Sequence, residues 1–192
     1  MLWDRSRRSR ITVLLVALSG VGSAMALDID DVRVEKQGRA YEVQMTFGVA
    51  ASVYQVMAVL TDYGFPSRLN PDVVKREVIN TQEGITRVRT EIRSCVLFFC
   101  KDLVLTQDVR VFAGTIQAHT VADESDFLSG HLRWLVSNGD YGTALIRFDA
   151  VMEPDFFIPP LIGGYFARKR LRQEILATAK NLEIEATREP HE

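Results

Sequence analysis

PPLIGGYFARKRLRQEILATAKNLE, residues 159–183, is the stretch whose reading decides the fold. Two prolines open it where a missing N–H costs least, and no further proline occurs until Pro190. Gly164, Ala167, Leu171, Ile175, Thr178 and Leu182 recur at steps of three and four, which places them on one helical face. Arg168, Lys169, Arg170 and Arg172 crowd the rest of the first half, where the positive end of the helix dipole makes cations mildly unfavourable. Most of what precedes this stretch reads as strands, so the simplest use for such a helix is to close over a sheet. Gly164 and Ala167 are small and leave room beneath its first turns. The expected architecture is α+β: a curved antiparallel sheet gripping one long helix over 160–183, with a cavity between them.

Working outward, residues 31–36 (DVRVEK) and 40–49 (AYEVQMTFGV) alternate apolar and polar, either one broken strand or a hairpin. Ser52 is the expected N-cap of a short helix carrying Val53, Val56, Met57 and Leu60, ended by Asp62-Tyr63-Gly64. Pro66 and Pro71 then bracket at most one more helical turn. Strands follow over 73–80, 86–94, 102–111, 115–121, around Leu132-Trp134-Val136, and over 141–152. Glu83-Gly84, Ala113-Gly114 and Asn138-Gly139-Asp140 mark turns between them, and residues 123–130 read as a loop.

Export is written into the first 26 residues. Arg5, Arg7, Arg8 and Arg10 precede the apolar run Ile11–Leu18, and Ala24-Met25-Ala26 supplies a small-x-small cleavage site. The expected boundaries are a signal peptide over 1–26, one domain over 27–185 and a polar tail over 186–192. The whole chain of 192 residues is 47% hydrophobic, enough for a sizeable core. Losing four Arg and one Asp with residues 1–26 takes the net charge from −2 to about −5. That balance argues against nucleic acid as the main partner, which needs a net basic surface.

Three features together resemble the START-like superfamily, which includes polyketide cyclase/dehydrase and coenzyme Q-binding START-domain proteins. These are the order of elements, the passage from Val49-Ala50-Ala51-Ser52 through Leu60-Thr61-Asp62-Tyr63, and Pro66-x-x-x-Asn70-Pro71. The similarity spans most of residues 31–185. It implies a helix-grip fold whose cavity binds lipids, quinones, polyketides or hormones. It also implies that the loop holding Val96-Leu97-Phe98-Phe99 borders the cavity mouth, together with Phe127 and the approach Phe156-Phe157-Ile158.

Cys95 and Cys100 flank that apolar loop, and an oxidising compartment favours a disulfide between them. Free thiols, a metal pair or a redox pair are the alternatives, though the spacing is not Cys-x-x-Cys and other ligands are distant in sequence. An apolar hairpin tip signals either contact with something outside or folding back over the core. With Arg168 and its basic neighbours nearby, it would suit a transient dock on an anionic bilayer.

For catalysis there is no Gly-x-Ser-x-Gly, His-Glu-x-x-His, phosphate-cradling loop or Cys-x-x-Cys, and nothing calls for a cofactor or metal. Met45, Phe47, Leu105, Trp134 and Phe148 would line an open cavity with Gly164, Ala167 and Leu171, or form ordinary core if it is shut. Thr90, Gln107 and Thr120 are the inward polar candidates, and Arg68 with Asn70 could reach the mouth. The expected function is an exported binding or transfer protein for a hydrophobic small molecule or lipid. The rivals are a cyclase/dehydratase-like enzyme and an envelope interaction module with a closed cavity. Ionisable groups in the cavity would favour the enzyme, and an all-apolar lining the carrier.

Overall fold

Strict alternation of buried and half-buried residues along 40–49 is what a strand with one face on a core requires, and it is observed. The structure, a computed structural model, describes residues 29–64, 66–96, 99–158 and 164–188. The stretch 1–26 expected to be a signal peptide, the start of the quoted stretch at 159–163, and 189–192 lie outside them. The first two strands, β1 (Ile29–Gln37) and β2 (Ala40–Val49), form a hairpin rather than one broken strand. Gly38 makes the turn with φ of 61°, a conformation that costs a side-chain-bearing residue more.

After β2, α1 (Val53–Leu60) is opened by a capping box. The Ser52 hydroxyl accepts from Gln55 N–H, and the Ser52 N–H donates to the Gln55 side chain at 2.9 Å. A single 3₁₀ turn at Pro66–Arg68 follows, as the two prolines dictate. Six strands then run in sequence: β3 (Val73–Gln82), β4 (Ile85–Val96), β5 (Phe99–Phe112), β6 (Thr115–Thr120), β7 (Phe127–Asn138) and β8 (Ala144–Pro154). All pairings are antiparallel, in the order β1-β2-β8-β7-β6-β5-β4-β3. The long helix α2 (Tyr165–Thr187) comes last and lies against α1, β1, β2 and β4.

Three local readings change, the first being that the last strand begins at Ala144 rather than 141, after a 3₁₀ turn over Asp140–Gly142. Residues 123–130 are not all loop, because β7 begins at Phe127. The segment before it is laced along β5: Val104 N–H donates to the Asp126 carboxylate at 2.7 Å, and Thr106 N–H to the Ser125 hydroxyl at 2.9 Å. Held this way, the chain enters the sheet at once, and Phe127 pairs with Pro154. The β4–β5 ladder also runs further than expected, pairing Cys95 with Cys100 and Val96 with Phe99. Of the expected four-residue tip, Leu97, Phe98 and the side chains of Val96 and Phe99 lie outside what the structure describes.

The concave face carries the core. Met45, Phe47, Val49, Val136, Ala144 and Ile146 meet Val56 and Leu60 of α1 and Ala179, Leu182 and Ala186 of α2. Fully burying side chains of this size stabilises by roughly 1.5–3 kcal/mol each. This closed core occupies the end of the sheet under the C-terminal half of α2. The N-terminal half of the helix covers something else.

Candidate functional site

Beneath the first turns of α2 the space is not filled by side chains. A cavity of about 630 Å³ lies there between sheet and helix. From the sheet come Tyr41 and Val43 of β2, Ile92 and Ser94 of β4, Lys101, Leu103 and Leu105 of β5, and Leu132, Phe148, Ala150 and Met152 of β7 and β8. Phe127 and the segment Phe156-Phe157-Ile158 close one side, and Ala167, Arg170, Leu171, Glu174, Ile175 and Thr178 form the helical wall. The reason is in the sequence. On the cavity wall the helix offers Ala167 where the core end offers Leu182, and the sheet offers Ala150 where the core end offers Ile146. Small residues at these positions leave space that larger side chains would fill.

The expected site residues divide into two groups. Leu105, Phe148, Ala167 and Leu171 line the cavity, as do Phe127, Phe156, Phe157 and Ile158. Met45 and Phe47 instead belong to the closed core, exposed by 2% and 0%. Trp134 packs on Phe148 with ring centroids 4.3 Å apart and sits behind the lining. Thr90 accepts from Arg76 Nε at 3.3 Å, and Gln107 faces Thr120 across the β5–β6 pair. Gln107 Nε2 and Thr120 Oγ1 find no hydrogen-bond partner among the described residues. Arg68 is 3.8 Å from Glu185 near the far end of α2, Gly164 is the residue preceding that helix, and Arg168 is exposed with its Nε on the Gly164 carbonyl.

One polar feature of the wall went unread in the sequence. Glu174 projects into the cavity from the stripe of Leu171 and Thr178, and its carboxylate accepts from Arg170 Nε at 2.7 Å. The other arm of Arg170 donates to Asp72. Asp72 is fixed at the entry to β3: its N–H donates to Asn70 Oδ1 at 2.9 Å, and its carbonyl accepts Arg93 N–H at 2.8 Å. Burial, and next the hydrogen bond to Asp72, push the Glu174 pKa up to about 7, with Arg170 opposing. The signal was available: position 174 lies three residues after Leu171 and four before Thr178, so a carboxylate there falls on the apolar stripe. Arg170 at i−4 supplied the partner.

At the other side of the cavity, Lys101 Nζ lies 4.0 Å from the Phe156 ring centroid, a cation–π contact. Close by, Cys95 and Cys100 are joined by a disulfide, and neither cysteine is free. A structural disulfide points to a compartment outside the reducing cytoplasm. His119 and His131 stand opposite each other in the β6–β7 pair, both exposed and away from the cavity.

No family model matches the chain, and no curated protein matches it. Solved structures do match. The Zhui aromatase/cyclase from a Streptomyces species superposes with a TM-score of 0.63 at 16% identity, over 77% of this chain and 93% of that one. A START superfamily protein from Mycobacterium smegmatis gives 0.61 at 17% identity, over 76% and 96%. A STAR-related lipid transfer protein from Xanthomonas axonopodis gives 0.57 at 14% identity, over 83% and 100%. These matches cover three quarters or more of the chain, and with its eight-stranded antiparallel sheet gripping a long C-terminal helix its fold is the START-like helix-grip fold.

Proposed function

We propose that this protein binds, and passes on, a hydrophobic small molecule or lipid held between the sheet and α2. The observation that carries the reading is the cavity of about 630 Å³, within the range of small-molecule sites and walled mostly by aliphatic and aromatic side chains. Neighbours of the same fold include a protein described as lipid transfer, which supports the choice. The disulfide, together with the export signal read in residues 1–26, supports a periplasmic or secreted location for the domain over 27–185.

N-phenyl-1-naphthylamine, a neutral dye that brightens in apolar surroundings, tests the site. It should bind in a saturable way, and Ala150→Trp, which fills the cavity from the sheet, should abolish binding while circular dichroism stays unchanged. Saturable binding that survives a folded Ala150→Trp variant would place the dye elsewhere and remove the reading.

The mouth also suits transient contact with an anionic bilayer. Phe157 is 80% exposed and Tyr165 64%, and the exposed cations Arg168, Lys169 and Arg172 follow in the first turns of α2. Each partly inserted ring adds up to roughly 1.5–3 kcal/mol, and each cation about 1 kcal/mol, enough for reversible attachment. In liposome flotation, salt should weaken binding and Phe157→Asp with Tyr165→Asp should end it. Failure of the wild type to float with anionic vesicles at low salt would show that the exposed rings serve as a lid.

A second reading, a cyclase/dehydratase-like enzyme, is favoured by one observation: Glu174 sits on the cavity wall with a proton-affinity suited to transfer near neutrality. A neighbour described as an aromatase/cyclase has the same fold. Conversion of a soluble polyketone by the wild type, lost in Glu174→Gln, would move the assignment to this class.

A further inference from the structure

The Asp72–Arg170–Glu174 cluster is oddly placed for a structural ion pair. The side chains of Asp72 and Glu174 are 19% and 18% exposed, and Arg170 and Glu174 stand on the helical wall of a mostly apolar cavity. A purely structural role would be met by hydrophobic residues of similar volume at no cost in stability. We propose that this cluster is the recognition point for the polar end of the cavity's occupant, and that it selects a neutral group able to donate a hydrogen bond, a hydroxyl, over a carboxylate. The inference rests on the cavity reading above and specifies its ligand.

The charge balance makes the selection. Arg170 and Asp72 cancel, and the Arg170 guanidinium is committed on both sides, through one terminal nitrogen to Asp72 and through Nε to Glu174. An incoming carboxylate would therefore find no uncommitted cation at this wall, and two carboxyl groups already present. Protonated Glu174 gives its O–H to Asp72 and keeps acceptor lone pairs, which the O–H of an alcohol satisfies and an ionised carboxylate cannot. Of the charged and titratable groups packed around it, Asp72 comes from the entry to β3 and Arg170 from α2 itself. Tyr41 of β2 and Lys101 of β5 also line the cavity. Lys101 is turned to the Phe156 ring, with Asp126 4.0 Å away, and Tyr41 lies in the field of Arg168. Asn70, Ser94 and Thr178 are the other polar side chains of the lining, and Val43, Leu105, Phe148 and Ala150 belong to the apolar majority that faces a ligand's chain or rings.

Because a hydroxyl does not titrate near neutrality, any pH dependence of its binding reports the protein. The probes are cis-parinaric acid and the alcohol made by reducing it, each competing against N-phenyl-1-naphthylamine. The alcohol should bind at least about tenfold tighter than the acid at about pH 6, and weaken about tenfold by pH 8 as Glu174 ionises. Glu174→Gln, which keeps a neutral donor and acceptor, should retain alcohol binding at the lower pH and lose the pH dependence. Equal or tighter binding of the acid would overturn the inference, as would a pH dependence that persists in Glu174→Gln or is missing from the wild type. If the naphthylamine dye itself does not bind, the cavity reading fails first. If it binds but the two probes are not discriminated, the cavity reading stands and this inference alone falls.

Discussion

Glu174 answers to folding and to the cavity at once, and both favour its protonated form. Its pKa is raised by burial and by the hydrogen bond to Asp72, so the native state holds this proton more tightly than the unfolded chain. A group raised in this way contributes its full stability below the ordinary carboxylate pKa, and loses it as pH climbs through about 7. The unfolding free energy from denaturant titrations should therefore fall between about pH 5 and pH 8 by an amount on the order of 1–3 kcal/mol, and Glu174→Gln should flatten that slope. A wild-type slope unchanged in the variant would assign the titration to another group. Arg76 presents the reverse case. Burial holds its pKa down, and among the described residues it has no carboxylate partner, only the Thr90 hydroxyl and the neighbouring Tyr63 ring. Replacing a buried charge without a counter-ion by an apolar chain of similar length is neutral or better, so Arg76→Met should raise stability by about 1 kcal/mol. A loss of more than about 2 kcal/mol in urea unfolding would mean that the guanidinium has a compensating role.

At the scale of elements, α2 does two jobs along one face. Ala179, Leu182 and Ala186 lock it into the closed core, while Ala167, Leu171 and Ile175 only roof the cavity. Substitutions should separate these halves: Leu182→Ala should cost about 2–5 kcal/mol, and Leu171→Ala distinctly less because it already faces space. Equal costs in thermal or denaturant unfolding would contradict an open cavity. The β4–β5 hairpin is clamped by Cys95–Cys100 next to the cavity residues Ser94 and Lys101. Reducing it should lower stability by roughly 2 kcal/mol in the chain-entropy model, read as a shift in urea midpoint. Most of these elements were legible beforehand, because alternation, turn residues and the Ser52 cap are local signals. The cavity lining was legible only in part. Leu105 and Met45 share the same parity pattern, and which of them faces a gap depends on how far α2 stands off the sheet. The gap also needs small residues such as Ala150 and Ala167 on separate elements, which no single stretch encodes. Asp72 is hidden for the same reason: its partner on α2 is 98 residues away.

For the molecule as a whole, the sheet and helix form one grip with a solid end and a hollow end. The solid end explains stability, and the hollow end has no structural purpose that packing would not serve better, since an empty apolar cavity costs about 20–25 cal/mol per Å³. The central claim is that the hollow end is kept for an occupant. Native mass spectrometry of the protein isolated from its own cell envelope tests this most directly. The account predicts a bound species of small-molecule or lipid mass, released on denaturation, neutral in its polar end, and missing from a folded Ala150→Trp variant. Protein of bare polypeptide mass from that source, or the same adduct on the filled variant, would contradict it.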